Sequence, residues 1–404
     1  MNFKKYCEKR SQFPRLSRIP PYLFSSLYRM KTSVGKDLID LGEGNPDIPP
    51  PAKVVATLCR ALKNRENHRY PTYAGKESLR EAIAYFYRQR FGVVIDPETE
   101  ALPLLGSKEG AAHLIWAICE EGDRVGVCDP GFPVYLNQTH LCFATPVLLS
   151  LKEKDGFLPD LDHLSRVAPS LKLLCLNYPN NPTTGVATVE FYQEVVNLAH
   201  KYGFFVVNDN VYSEIYFGTA PPPSILQVPG ARDCCVELNS LSKTFSIPGW
   251  RIGMAVGNRD ILGALLKMKQ NIDTGPFGAI QDAAVFALKN YARFGAQIRE
   301  VYRKRRDVFV FRLNRQGWRV KPPEATFYIW AKLPDFWNKK ENGSTSYSFV
   351  KEMLKSCRVL GAPGVGFGNA GEGFVRFALV APQSQLLIAA ERIGRWLKST
   401  VSRK

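Results

Sequence analysis

The chain has 404 residues, 45% of them hydrophobic and 23% charged, with a formal net charge of +17. That length exceeds what one hydrophobic core usually covers, so two packed regions are expected within an ordinary globular composition. No run of about eighteen apolar residues is present, which excludes a membrane-spanning helix, and the positive charge carries no nucleic-acid recognition motif, so a basic surface that attracts anionic metabolites is expected instead.

Residues 1–20 are basic and broken by Pro14 and Pro20, without an apolar stretch. They read as an arm lying on another surface rather than a secretory signal. Short apolar runs at residues 124–128, 171–176, 204–208, 235–238 and 252–256 read as buried strands. Between them lie helix-like segments at 108–119, 189–201 and 259–270. Such alternation indicates a parallel α/β sheet, whose ligands gather at the carboxyl ends of the strands. After about residue 290 the pattern changes to a long basic helix (292–313), strand-like 317–320 and 326–331, and a polar loop (338–346). A helix (347–357), a Gly-rich turn, a strand (373–380) and a final helix (382–399) follow. The expected division is an arm and part of a small domain over residues 1–50, a large domain over 51–290, and the rest of the small domain over 291–404. The nine cysteines are odd in number and irregularly spaced, and the Cys234 and Cys235 pair has no C-x-x-C partner. Reduced thiols in a cytoplasmic protein are expected, and no metal site.

The strongest local signal is Ser240-Leu241-Ser242-Lys243-Thr244-Phe245, followed by Pro248-Gly249-Trp250-Arg251-Ile252-Gly253. A lysine that attacks an aldehyde needs a lowered pKa and an enclosed pocket. Hydroxyls beside it can donate to a phosphate, and an arginine shortly after adds a bidentate anion clamp. Upstream, Gly106-Ser107-Lys108-Glu109-Gly110 precedes an apolar helix, a place where free amides favour a phosphate. The string from Gly361 to Gly368 follows a helix and precedes a strand, the reverse of a dinucleotide fingerprint. Asn177-Tyr178-Pro179-Asn180-Asn181 and Asp209-Asn210-Val211-Tyr212 each follow a presumed strand, where a site or a plain turn would form. Arg376 lies in an apolar strand, where an arginine is usually paired, a substrate carboxylate being one candidate.

Together these strings resemble the fold-type I pyridoxal 5′-phosphate enzymes, specifically the class I aminotransferases, from about Leu41 to Val380 and in the family's order. The resemblance implies a large, mostly parallel-sheet α/β/α domain with a smaller α+β domain built from both termini. It implies that Lys243 holds the cofactor as a Schiff base and shuttles a proton, that Asp209 pairs with the pyridine N–H, and that Tyr212 and Asn181 bond the ring's hydroxyl oxygen. Phe132 matches the aromatic stacked on the ring, and Ser107, Lys108, Ser240 and Arg251 the phosphate site. Tyr70 matches a tyrosine that reaches the partner subunit's phosphate, which implies a homodimer. Arg376 matches the arginine for the substrate α-carboxylate, with Gly44 lining the same end. The implied activity is ping-pong transfer of an amino group from an L-amino acid to a 2-oxo acid such as 2-oxoglutarate.

Residues 271–278 hold no arginine for a second carboxylate, and with Gly-Ser-Lys-Glu-Gly they resemble the branch containing LL-diaminopimelate and broad aspartate or alanine aminotransferases. Asp273 or Glu43 would then meet a distal ammonium. A β-eliminating C–S lyase would share every cofactor residue and stays open. A non-enzymatic regulator with an aminotransferase-like domain would carry a DNA-binding domain ahead of Leu41, for which the preceding residues are too few.

Overall fold

The computed structural model describes residues 15–20, 25, 31, 37–338 and 345–401, so most of the basic arm and of the 338–346 loop lies outside the described residues. In chain order the strands are β1 (Ile39–Asp40), β2 (Ala101–Leu104), β3 (Arg124–Asp129), β4 (Thr145–Ser150), β5 (Leu173–Asn177) and β6 (Phe205–Asp209). They continue with β7 (Cys235–Ser240), β8 (Gly253–Gly257), β9 (Tyr328–Lys332), β10 (Val359–Leu360), β11 (Ala362–Pro363) and β12 (Phe374–Ala378).

Seven of them form one sheet in the order β2-β8-β7-β6-β5-β3-β4. From β4 to β7 every pairing is parallel, and β8 runs antiparallel to both of its neighbours. Every residue of β5 and β7 is buried, as expected of strands covered on both faces. Alternate residues feed different cores: Leu173 and Cys175 of β5 join one cluster with the helices Ser107–Ile118 and Arg259–Gln270, while Leu174 and Leu176 join the other with Val189–Tyr202. The two outer strands, β2 and β4, each contain a proline, Pro103 and Pro146, tolerated there because an edge leaves one row of amides without a ladder partner.

A third core gathers the antiparallel sheet β11-β12-β9, the parallel pair β1-β10 and the helices Tyr291–Arg315, Ser346–Cys357 and Gln383–Val401. Ile39 and Leu41 from the other end of the chain are buried in it. The strand expected over residues 317–320 is a loop. Asn314 takes over the work of a ladder there: its Oδ1 accepts from the Val320 amide at 2.7 Å and its Nδ2 donates to the Val320 carbonyl at 3.1 Å. Trp318 fills the core beneath it, 2% exposed, and its indole donates to the Lys332 carbonyl at 2.8 Å. No helix among the described residues is long and apolar enough to cross a membrane, and the described cysteines form no disulfide.

The topology decides where function can lie. Asn177, Asp209 and Ser240 end β5, β6 and β7, and the reversed β8 brings the residues just before it, including Arg251, to the same edge. Trp318→Ala, which empties a large space in the third core, is expected to cost roughly 3–5 kcal/mol of stability, read as a lower urea midpoint.

Candidate active site

At that edge lies a cavity of about 340 Å³. Its lining includes Gly44, Ser107, Lys108, Phe132, Asn181, Asp209, Tyr212, Ser240, Lys243, Arg251 and Arg376, and of the expected site residues only Tyr70 and Asp273 do not line it. Tyr70 is 90% exposed and does not line this chain's own cavity. Tyr328, Asn177, Asn45 and Glu43 also line it.

Lys243 sits on a short helix, Leu241–Thr244, opened by Ser240, whose hydroxyl accepts from the Ser242 amide at 3.2 Å. Its ammonium donates to the Gly44 carbonyl at 3.3 Å. Burial, with the Arg251 and Arg376 charges, lowers its pKa to about 8, and Asp209 opposes that shift only in part. The same burial pushes the Asp209 carboxyl up to about 7, against the Tyr135 hydroxyl, which donates to Oδ2. Oδ1 of Asp209 is buried without a hydrogen-bond partner of good geometry, although the nearby Val211 amide favours the charged form. The Asn177 side chain donates to the Asp209 carbonyl at 2.7 Å and accepts from the Asn181 amide at 3.0 Å, which locks the ends of β5 and β6 together.

One end of the cavity is shaped for an anion. Gly106 has φ +88° and starts the helix Ser107–Ile118, and a side chain there would collide with the Arg251 guanidinium. Gly253 is equally confined, since a Cβ would press on the Ser107 amide. Arg251 donates to the Pro248 carbonyl at 2.9 Å and the Leu105 carbonyl at 3.3 Å, which aims its fork beside the helix start. At the other end Arg376 of β12, with no solvent exposure, donates to Asn181 Oδ1 and to the Gly42 carbonyl, both at 2.7 Å. Tyr212 and Tyr328 share a hydroxyl–hydroxyl bond of 2.9 Å, and burial keeps the Tyr212 phenol protonated well beyond neutral pH.

Neither Tyr135 nor Tyr328 was given a role from the sequence, although Tyr135 closes the string from Asp129 that carries Phe132 and the alternation of the 326–331 run could have pointed to Tyr328. Asp273 does not line the cavity. Its carboxylate is held by Lys269, with both oxygens 3.0 Å from the ammonium, so it is not available to a substrate. Glu43 does line the cavity, and Lys31 stands 2.8 Å from it.

The residues present fit pyridoxal 5′-phosphate. The open Asp209 oxygen suits a pyridine N–H, the Gly106–Arg251 cradle suits a phosphate, and Lys243 suits an aldehyde. Residues 36–393 match the family described as aminotransferase class I and II. The LL-diaminopimelate aminotransferase of Aquifex aeolicus is 46% identical over 94% of this chain and 97% of its own length. The protein of that name from Desulforudis audaxviator is 43% identical over 94% of this chain and 96% of its own. Among solved structures, the probable N-succinyldiaminopimelate aminotransferase of Thermus thermophilus superposes with a TM-score of 0.84 at 35% identity, covering 92% of this chain and 99% of that one.

Because the neutral amine forms as pH rises through the pKa, Lys243 in cofactor-stripped protein is expected to reach half its maximal rate of modification by trinitrobenzenesulfonate near pH 8. Peptide mass spectrometry across a pH series reads this out. A midpoint in the usual lysine range would contradict the electrostatic reading.

Proposed function

The chain belongs to the class I and II aminotransferases, and from that premise we propose that the cavity around Lys243 takes LL-diaminopimelate as amino donor and 2-oxoglutarate as acceptor. The enzyme is pyridoxal-phosphate dependent and moves an amino group from an amino acid to a 2-oxo acid. When bound, the cofactor supplies an aldehyde for the amino group and an electron sink for the charge left when Cα loses its proton.

This chain's residues then divide the work. The Lys243 amine would hold the aldehyde and carry the proton at Cα. Asp209 would pair with the pyridine N–H and keep its proton in place. Tyr212 and Asn181 donate to the ring hydroxyl oxygen; Asn181 is left to offer Nδ2 because its Oδ1 is taken by Arg376. Phe132 covers the ring face, while Ser107, Lys108, Ser240 and Arg251 hold the phosphate. Arg376 and the wall at Gly44 take the α-carboxylate. Tyr70, exposed here, completes the phosphate site of a second copy, so the working species is a homodimer, placed in the cytoplasm. The lobes follow the division at residues 50 and 290.

Full-length likeness to proteins named for LL-diaminopimelate carries the choice of donor. The site supports it. Residues 271–278 offer no arginine, whereas Glu43 lines the cavity, an acid that would meet the ammonium at the donor's far end.

A lost charge-assisted hydrogen bond is worth roughly 1.5–3 kcal/mol, about ten- to a hundredfold in kcat/KM. With one common acceptor, kcat/KM for LL-diaminopimelate is therefore expected to exceed that for aspartate, alanine and phenylalanine by at least about tenfold. If aspartate or phenylalanine wins by that margin, the donor assignment fails and the family assignment stands. Light scattering across the assay's concentration range is expected to show a dimer; an active monomer would remove the role given to Tyr70.

A further inference from the structure

Beneath the phosphate end lies a buried ionic cluster that the transfer chemistry leaves unused. Lys269, near the end of the helix Arg259–Gln270, is 1% exposed. Its ammonium donates to Glu109 Oε1 at 2.9 Å and to both Asp273 oxygens at 3.0 Å. His113, one turn beyond Glu109, places Nδ1 2.5 Å from the same Oε1. Glu109, His113 and Asp273 thus converge as ligands of a cation would, and the Lys269 ammonium already supplies that charge.

Glu109 has a second bond, and it leads to the cavity. Its Oε2 accepts from the Leu105 amide at 3.0 Å, and the Leu105 carbonyl accepts from the Arg251 guanidinium at 3.3 Å. Leu105 immediately precedes Gly106, whose positive φ sets the turn into Ser107. One carboxylate is therefore fixed on one side by a buried cation and on the other holds the peptide that shapes the anion cradle.

We infer that Glu109 is a positioning residue for the cofactor phosphate: anchored by Lys269, it fixes the Leu105–Gly106 turn so that the Ser107 helix start and Arg251 converge on one anion. The inference rests on the assignment of that cradle to the phosphate. Burial alone would raise the carboxyl's pKa, but His113 and Lys269 outweigh it and hold Glu109 below the usual range, so its two oxygens both accept at neutral pH. Glutamine has nearly the same shape but only one acceptor. Whichever way its amide turns, an NH₂ meets either the Leu105 amide or the Lys269 ammonium, donor against donor.

The test separates phosphate from ring. Full-length native protein and Glu109→Gln are stripped of cofactor and titrated with pyridoxal 5′-phosphate and, in parallel, with pyridoxal, which lacks the phosphate; absorbance and tryptophan fluorescence give each Kd. Native protein is expected to prefer the phosphorylated form strongly. In Glu109→Gln the Kd for pyridoxal phosphate rises at least tenfold while that for pyridoxal changes less than twofold. Equal weakening of both ligands would mean a merely structural role and overturn the inference, as would an unchanged preference. A native protein that binds the two alike would instead overturn the phosphate assignment, and the inference with it. Should Glu109→Gln fail to fold, Glu109→Ala removes the Leu105 acceptor while Lys269 keeps Asp273, and the same loss of preference is required of it.

Discussion

Arg376 carries a permanent charge to a point without solvent exposure, and much of the site is arranged around that burial. Removing a guanidinium from water costs several kcal/mol unless its donors are satisfied. Here the Gly42 carbonyl and Asn181 Oδ1 take two of them, and the rings of Tyr328 and Phe367 lie 4.2 and 4.6 Å from the guanidinium carbon. Those partners come from the segment after β1, the turn after β5, β9, and the loop before β12, so satisfying one charge fixes four separate pieces of chain. With Gly42 held, Glu43 lines the cavity and the Gly44 carbonyl meets Lys243.

Lys243 and Asp209 shift in opposite directions under the same low dielectric. Lys243 is pushed towards its neutral form and Asp209 towards its protonated form, each in the direction that burial dictates. A second carboxylate, Glu237 of β7, shows what a purely structural acid looks like in the same layer. It accepts from the Tyr87 hydroxyl at 3.0 Å, from Asn208 at 3.0 Å, from Asn210 at 3.2 Å and from the Ile225 amide at 3.1 Å. Asp209, between those two asparagines in sequence, keeps one oxygen open. The contrast sets a carboxylate with both oxygens taken beside one that keeps an oxygen without a partner.

The inner strands and the motif residues were legible in the sequence because strands buried on both faces read as unbroken apolar runs, and because their ends carry the polar residues of the site. The outer strands β2 and β4 escaped notice since Pro103 and Pro146 argue against a ladder anywhere but at an edge, and position in the sheet is not written locally. Residues 317–320 alternate like a strand, but Asn314 satisfies their backbone instead. The pairing of Tyr135 with Asp209 spans 74 residues and leaves no local trace. For Asp273 a signal was present, because Lys269 lies four residues earlier at ion-pairing helical spacing. It pointed to an internal partner rather than a substrate.

The bond between Arg376 and Gly42 closes a separation of 334 residues, while Ser240, Lys243 and Arg251 come from a single hairpin formed by β7 and β8. The order of synthesis on the ribosome therefore differs from the order of use. The anchors assigned to the cofactor are all translated before the strand that carries Arg376. A product cut short ahead of Phe374 would hold Lys243, Asp209, Gly106 and Arg251 in its sequence, yet lack Arg376, the residue proposed to take the α-carboxylate.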